Sequence, residues 1–178
     1  WVFLSVLVND SQVAMSFRSM EALYRKHYYS KYESERQKMA IVNIFELADQ
    51  EKADIENLSV DQLKAEMENN KDLLLIDIRE IQETIDLGTI PGSIHCARGM
   101  LEFWASPASP YYRDYFQEDR RTVLFCAGGG RSVFATKALK NMGFNNVAHL
   151  EPGFGGWKKA EETIEDVAST SRWMRKEK

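Results

Sequence analysis

The chain has 178 residues, of which 44% are hydrophobic and 28% charged, and a formal net charge of -4. That length suits one domain plus an extension, and the composition is that of an ordinary soluble globular protein. The negative balance offers no general attraction to nucleic acid or an anionic membrane, so neither is expected as a partner.

The sequence opens on Trp1 rather than methionine, with Met15, Met20 and Met39 as candidate starts. Trp1 to Val8 is apolar but far short of the ~20 residues of a membrane helix. It also lacks the basic segment that begins a signal peptide. It is expected to be structurally unimportant, the alternative being the end of a membrane anchor. The cytoplasm is the default compartment. Ser16 to Asp54 is charged, with Leu23, His27, Tyr28 and Lys31 at helical spacing, which predicts one or two amphipathic helices. Tyr24, Tyr28, Tyr29 and Tyr32 at this spacing are expected to cover a core rather than form a recognition stripe. Residues 1–55 are thus expected to be a mostly helical extension without chemistry of its own.

From Asn57 the pattern becomes alternating strands and helices. Leu58 is a short strand, and Ser59 caps a helix from Val60 to about Asn69. Leu73 to Ile76 is an apolar run ending at Asp77, as for a strand buried on both faces. Arg79 to Leu87 reads as helix, and Ser93 to Cys96 as a short strand after the punctuation of Gly88 and Pro91-Gly92. Thr122 to Phe125 is a second buried strand running into Cys126. A helix follows from Arg131 to Met142, stopped by Gly143. Val147 to Leu150 is the last strand, and a final helix starts near Gly155. This order predicts an α/β fold with a parallel sheet covered on both sides.

Two cysteines, Cys96 and Cys126, cannot make a disulfide framework, so a reactive thiol is the better expectation. His27, His95 and His149 lie far apart with no cysteine pair nearby, so no metal site is expected. The informative segment is Cys126-Ala127-Gly128-Gly129-Gly130-Arg131-Ser132. In an open parallel sheet, ligands bind beyond the carboxyl ends of strands, where Cys126 falls. Successive glycines let the backbone curl into left-handed conformations. A chain curled in this way aims several amides at one point, an anion-binding nest. The following helix adds its N-terminal partial charge, and Arg131 a full charge on a fork that suits oxyanions. A thiol in such a cradle is expected to ionise readily, because the thiolate is what the cradle stabilises.

The segment resembles the active-site loop of the rhodanese family, and the resemblance runs from about Asn57 to Lys159. Leu74-Leu75-Ile76-Asp77-Ile78-Arg79-Glu80 is similar to the family's strand followed by Asp-x-Arg-Glu. Gly88-Thr89-Ile90-Pro91-Gly92-Ser93-Ile94 resembles its Gly-His-Ile-Pro-Gly-Ala-Ile motif, with Thr89 in place of histidine. Gly153-Phe154-Gly155-Gly156-Trp157 resembles its closing element, and Pro152 stands where glycine is frequent. Arg98 to Trp104 looks like a bacterial single-domain branch. The resemblance implies a three-layer rhodanese-like fold with a mainly parallel five-stranded sheet, over residues 56–162, followed by a C-terminal tail over 163–178.

The resemblance also implies a sulfurtransferase that needs no cofactor. Cys126 would take sulfur from thiosulfate or a persulfide and pass it to cyanide, a thiol or a protein sulfur carrier. Ala127, Gly128, Gly129, Gly130, Arg131 and Ser132 would bind the anionic sulfur, with Arg131 contacting the substrate anion. Arg98 could also reach it, although a solvated loop arginine is the plainer reading. Asp77 and Arg79 are expected to anchor the strand end by a salt bridge. Cys96 is expected to be a packing cysteine unless it lies close enough to Cys126 to resolve a persulfide. His95 and His149 are expected to be satisfied core histidines, and Trp157 to pack the last helix onto the sheet. Cysteine phosphatases and arsenate reductases resemble rhodaneses in fold but place five residues between cysteine and arginine. Here there are four, Ala127 to Gly130. A non-catalytic rhodanese-like binding module would lack the cysteine or have a disrupted loop.

Overall fold

Five strands lie side by side, all parallel, in the order β1-β5-β4-β2-β3. They are β1 (Glu56–Leu58), β2 (Leu74–Asp77), β3 (Ile94–His95), β4 (Thr122–Phe125) and β5 (Val147–Leu150). The computed structural model describes residues 41–170. The expectations for Trp1 to Val8 and for helices between Ser16 and Ala40 lie outside the described residues.

Every residue of β2, β4 and β5 is buried, and their side chains divide with period two between the faces. Leu74, Ile76, Leu124 and Val147 enter one core. Leu75, Val123, Phe125, Ala148 and Leu150 enter the other. Helices α4 (Leu101–Ala105) and α5 (Gly130–Asn141) supply Leu101, Ala105, Ala135 and Leu139 to the first core. Helices α2 (Val60–Asn69) and α6 (Gly153–Lys159) supply Leu63, Phe154 and Trp157 to the second. Fully burying a side chain such as Leu124 or Leu139 contributes roughly 1.5–3 kcal/mol.

Local chemistry sets the helix ends. Ser59 Oγ accepts from Gln62 N at 3.2 Å, and Gln62 Oε1 accepts from Ser59 N at 2.8 Å, which fixes the start of α2. At the end of α5, Phe144 N donates to Leu139 O and Gly143 N to Lys140 O. This is the paired arrangement that stops a helix at a left-handed residue.

Some boundaries differ from the sequence reading. Helix α3 spans Ile81–Leu87 rather than starting at Arg79. The Arg79 amide and side chain are both taken by Asp77, so the chain turns before it can coil. Glu80 then caps the helix with Glu83. The strand expected over Ser93 to Cys96 is reduced to Ile94–His95.

The compact unit begins at Asn43, so the boundary expected near residue 55 falls inside it. Helix α1 (Ile44–Glu51) packs on α5, and Lys137 bridges Glu51 and Asp54 at 2.8 and 2.7 Å. Past residue 162, Trp157 Nε1 donates to Thr163 O, and Thr89 and Glu165 exchange two backbone hydrogen bonds. The first residues of the expected tail are therefore tied to α6, the helix Gly153–Lys159, and to the segment that precedes β3. No helix among the described residues is long and apolar enough to cross a membrane.

The topology points to the site. The connection from β2 leads outward to β3, whereas that from β4 leads the other way to β5. Between the carboxyl ends of β2 and β4 the order reverses, and such a crevice is where open sheets bind ligands. The β2 side of it carries a buried ion pair, Asp77–Arg79, with Nη2 to Oδ2 at 2.6 Å and both side chains inaccessible. Asp77 also accepts from Thr89 Oγ1 at 2.8 Å and Thr84 Oγ1 at 3.4 Å. Thr89, which stands in place of the family's histidine, is thus a ligand of this carboxylate. Arg79 donates to Gly88 O at 2.6 Å and stacks 4.0 Å from the centre of the Phe154 ring. Replacing Asp77 by alanine strands a buried guanidinium and is expected to cost about 3–5 kcal/mol in urea unfolding. The double replacement Asp77→Leu/Arg79→Met should recover most of that loss.

Candidate active site

Cys126 follows the last residue of the central strand β4, with its side chain on the face that holds Leu124 and is covered by α5. It is 1% exposed. The chain then makes the loop 126–129 and enters α5 at Gly130.

Two contacts shape the loop. Cys126 O accepts from Phe154 N and Ala127 O from Gly155 N, both at 2.8 Å. The first turn of α6 therefore holds the loop's carbonyls. A β-carbon on Gly153, where φ is +60°, would lie 2.6 Å from Cys126 O and 2.8 Å from Gly129 N. Only glycine allows α6 to approach this closely. On the other side, Gly129 has φ +88°, and a β-carbon there would lie 2.0 Å from Glu151 O. Of the three successive glycines, only Gly129 is left-handed; Gly128 and Gly130 have open space around them.

Among the described residues, no acceptor takes the amides of Ala127 to Ser132. Those of Gly130, Arg131 and Ser132 are the first-turn amides that every helix leaves unpaired. The loop thus leaves these amides open while the carbonyls of Cys126, Ala127 and Gly129 are bonded elsewhere, the arrangement an anion cradle requires.

The side chains refine the sequence reading. Arg131 forms a two-pronged ion pair with Glu83 of α3, at 2.7 and 2.8 Å. The fork expected to be open to an oxyanion is occupied. Hydrogen bonding to Glu83 pushes the Arg131 pKa up, and Cys126 contributes to the same shift, so the guanidinium stays charged next to the sulfur. Glu83 was not legible as a partner, because 48 residues separate the two. Arg98 is likewise bound, to Glu102 at 2.7 and 2.9 Å. Arg98, Gly130 and Arg131 line a crevice of about 390 Å³ with Ile44, Phe45, Ala48 and Phe134. Ser132 brings its side chain as well as its amide to the site, with Oγ 3.7 Å from Cys126 Sγ.

Cys96 is fully buried, and burial, followed by the charge of Glu102, pushes its pKa up to about 12. It is therefore a poor nucleophile and a poor resolving thiol. His95 Nε2 lies 2.9 Å from Arg79 O. His149 is inaccessible, and burial lowers its pKa to about 4, with the charge of Glu151 opposing the shift and that of Lys52 adding to it. No group of metal-binding side chains is found among the described residues.

A family model for the rhodanese-like domain matches residues 59–160. With the parallel sheet and the cysteine loop at its switch point, this places the chain in the rhodanese-like domain family. The sulfurtransferase-designated YtwF of Bacillus subtilis is 30% identical over 105 residues, covering 59% of this chain and 92% of its own length. YrkF of the same organism, designated a sulfur carrier protein, is 28% identical over 103 residues, 58% of this chain. The chain spans about half, 51%, of YrkF. A solved structure from Rhodopseudomonas palustris, of unknown function and titled a possible tyrosine phosphatase, is 42% identical with a TM-score of 0.67. It covers 71% of this chain, and 97% of its own length is matched.

Two predictions follow from the loop geometry and from His149. Gly129→Ala is expected to abolish reactivity at Cys126 and lower the melting temperature, whereas Gly130→Ala should leave both near wild type. A buried neutral histidine binds its proton more weakly folded than unfolded. Its stability contribution is therefore complete above its ordinary value of 6.5 and declines as pH falls toward about 4. Urea unfolding should show a loss of about 2–3 kcal/mol across that window, and His149→Leu should flatten the slope.

Proposed function

We propose that this domain is a sulfurtransferase that carries sulfane sulfur as a persulfide on Cys126. The observation that supports this most is the run of unengaged amides from Ala127 to Ser132 behind a strand-end cysteine. Such a cradle stabilises a thiolate and equally a persulfide anion, whose negative charge sits one bond further out.

The Cys126 thiolate attacks the outer sulfur of thiosulfate. An S–S bond forms to Sγ, the S–S bond of thiosulfate breaks, and sulfite leaves with the electron pair. The outer sulfur of the resulting persulfide is then attacked by an acceptor such as cyanide or a thiol. The new bond forms to the acceptor, and the electron pair of the broken bond returns to Sγ. No general base is needed once the thiol is ionised. Arg131 stays positive beside the sulfur through both steps, held in place by Glu83. The designation of YrkF as a sulfur carrier protein supports a protein-bound persulfide or thiol as a natural partner. Both cysteines are free thiols, which fits a reducing compartment such as the cytoplasm.

The second reading, a cysteine phosphatase, is favoured by the 42% identity to a structure titled a possible tyrosine phosphatase. Against it stand the four residues between Cys126 and Arg131 and the occupation of the arginine fork by Glu83. A phosphatase needs that fork for the phosphoryl oxygens.

Incubation with thiosulfate is expected to add the mass of one sulfur atom to the intact protein. Cyanide should remove it and release thiocyanate, and Cys126→Ser should abolish both events. Failure of every sulfane donor to load Cys126 would contradict the proposal. Aryl phosphate hydrolysis by wild type, lost in Cys126→Ser, would establish the phosphatase instead.

A further inference from the structure

Behind the Cys126 sulfur runs a line of buried and half-buried polar side chains that thiolate attack does not itself require. Ser132 Oγ lies 3.7 Å from Cys126 Sγ, 2.8 Å from Gly129 O and 3.1 Å from His149 Nδ1. His149 Nε2 lies 2.8 Å from Asn57 Oδ1. Asn57 Nδ2 in turn donates to Lys52 O and Ile55 O, both at 3.0 Å. The line crosses three adjacent strand ends, from β1 through β5 to β4. Ser132 and His149 are wholly inaccessible.

Its proton arrangement follows from the end farthest from the sulfur. Two carbonyls hold the Asn57 amide nitrogen, so the oxygen must face the ring. That oxygen can only accept, so Nε2 carries the hydrogen. In a neutral ring Nδ1 is then an acceptor. Burial keeps the ring neutral, since it holds the pKa near 4. The charged groups near the ring are Glu151 and Lys52, paired with each other at 3.5 Å. On the sulfur side stands Arg131, paired with Glu83. The single hydroxyl hydrogen of Ser132 therefore has three acceptors: Gly129 O, His149 Nδ1 and the sulfur.

We propose that His149, locked in one tautomer by Asn57, is a positioning residue that sets the direction of the Ser132 hydroxyl. With the Ser132 hydroxyl donating to Nδ1, Ser132 Oγ turns a lone pair to the sulfur and accepts from a Cys126 thiol. When the sulfur becomes a thiolate or persulfide, the hydroxyl turns and donates to it, and Nδ1 gives up its hydrogen bond. No proton is transferred to His149 in either state. The persulfide part rests on the sulfurtransferase reading; the thiol and thiolate part does not.

The test uses alkylation of Cys126 by iodoacetamide, followed by peptide mass across pH, and needs no sulfur donor. Ser132→Ala removes the donor and should move the alkylation midpoint up by about one pH unit. His149→Leu removes one of the two acceptors that compete with the sulfur, leaving Gly129 O, and should move the midpoint the other way. In the Ser132→Ala background it should do nothing, because it acts only through the hydroxyl. A His149→Leu shift of equal size in both backgrounds would overturn the proposal. Should that variant fail to fold, nitrogen-15 NMR of wild-type His149 decides. Nε2 should stay protonated while the Nδ1 signal moves toward that of an unbonded imidazole nitrogen as pH rises through the alkylation midpoint. A static Nδ1 signal, or a charged ring at neutral pH, would refute the positioning role while leaving sulfur transfer standing. A moving Nδ1 signal with no sulfur loading would do the reverse.

Discussion

The carbonyl oxygens of Cys126 and Ala127 are held by the amides of Phe154 and Gly155, and the rest of the site depends on that docking. A peptide unit whose carbonyl is turned toward α6 turns its amide away from it. With the first turn of α5, this leaves a succession of amides, from Ala127 to Ser132, without an acceptor among the described residues. The docking needs glycine at 153, where a β-carbon would collide with both the Cys126 carbonyl and the Gly129 amide nitrogen. It also needs α6 fixed on the sheet, which buried Phe154 and Trp157 provide. The closing glycine-rich element of the sequence thus holds the shape of the Cys126 loop.

A second constraint comes from β2. Asp77 and Arg79 bury opposite charges at the switch point, and the guanidinium lies against the Phe154 ring. An ion pair so placed gains little net stability over an apolar pair of the same shape, because desolvation offsets its attraction. Its geometric consequence is larger. It ends β2, delays α3 until Ile81, and so brings Glu83 to where it clasps Arg131. The charge beside Cys126 is therefore oriented from across the crevice rather than by its own loop.

What the sequence made legible was local. Apolar runs gave β2, β4 and β5 within a residue, Ser59 and Gly143 marked helix ends, and the cysteine–glycine loop falls where β4 ends at the switch point of the sheet, because each depends on neighbours in the chain. What stayed hidden was long-range. The partners of Arg131 and Ser132 come from α3 and β5, and nothing in the spacing of Glu83 or His149 announces them. The reading of three glycines as a uniformly permissive run also missed a distinction. Only Gly129 meets another part of the fold, the Glu151 carbonyl. The helix at Ile44–Glu51 falls within the stretch read as helical, but its charged composition hid its packing on α5, since the bonds of Glu51 and Asp54 to Lys137 and Lys140 look like solvated charge when read along the chain.

The cradle account is tested most directly by a crystal structure of the sulfur-loaded protein at a resolution that shows the outer sulfur. It predicts that atom inside the curve of residues 127–132, within hydrogen-bonding reach of several of their amide nitrogens. An outer sulfur projecting into solvent, with those amides bonded to carbonyls or water instead, would contradict it.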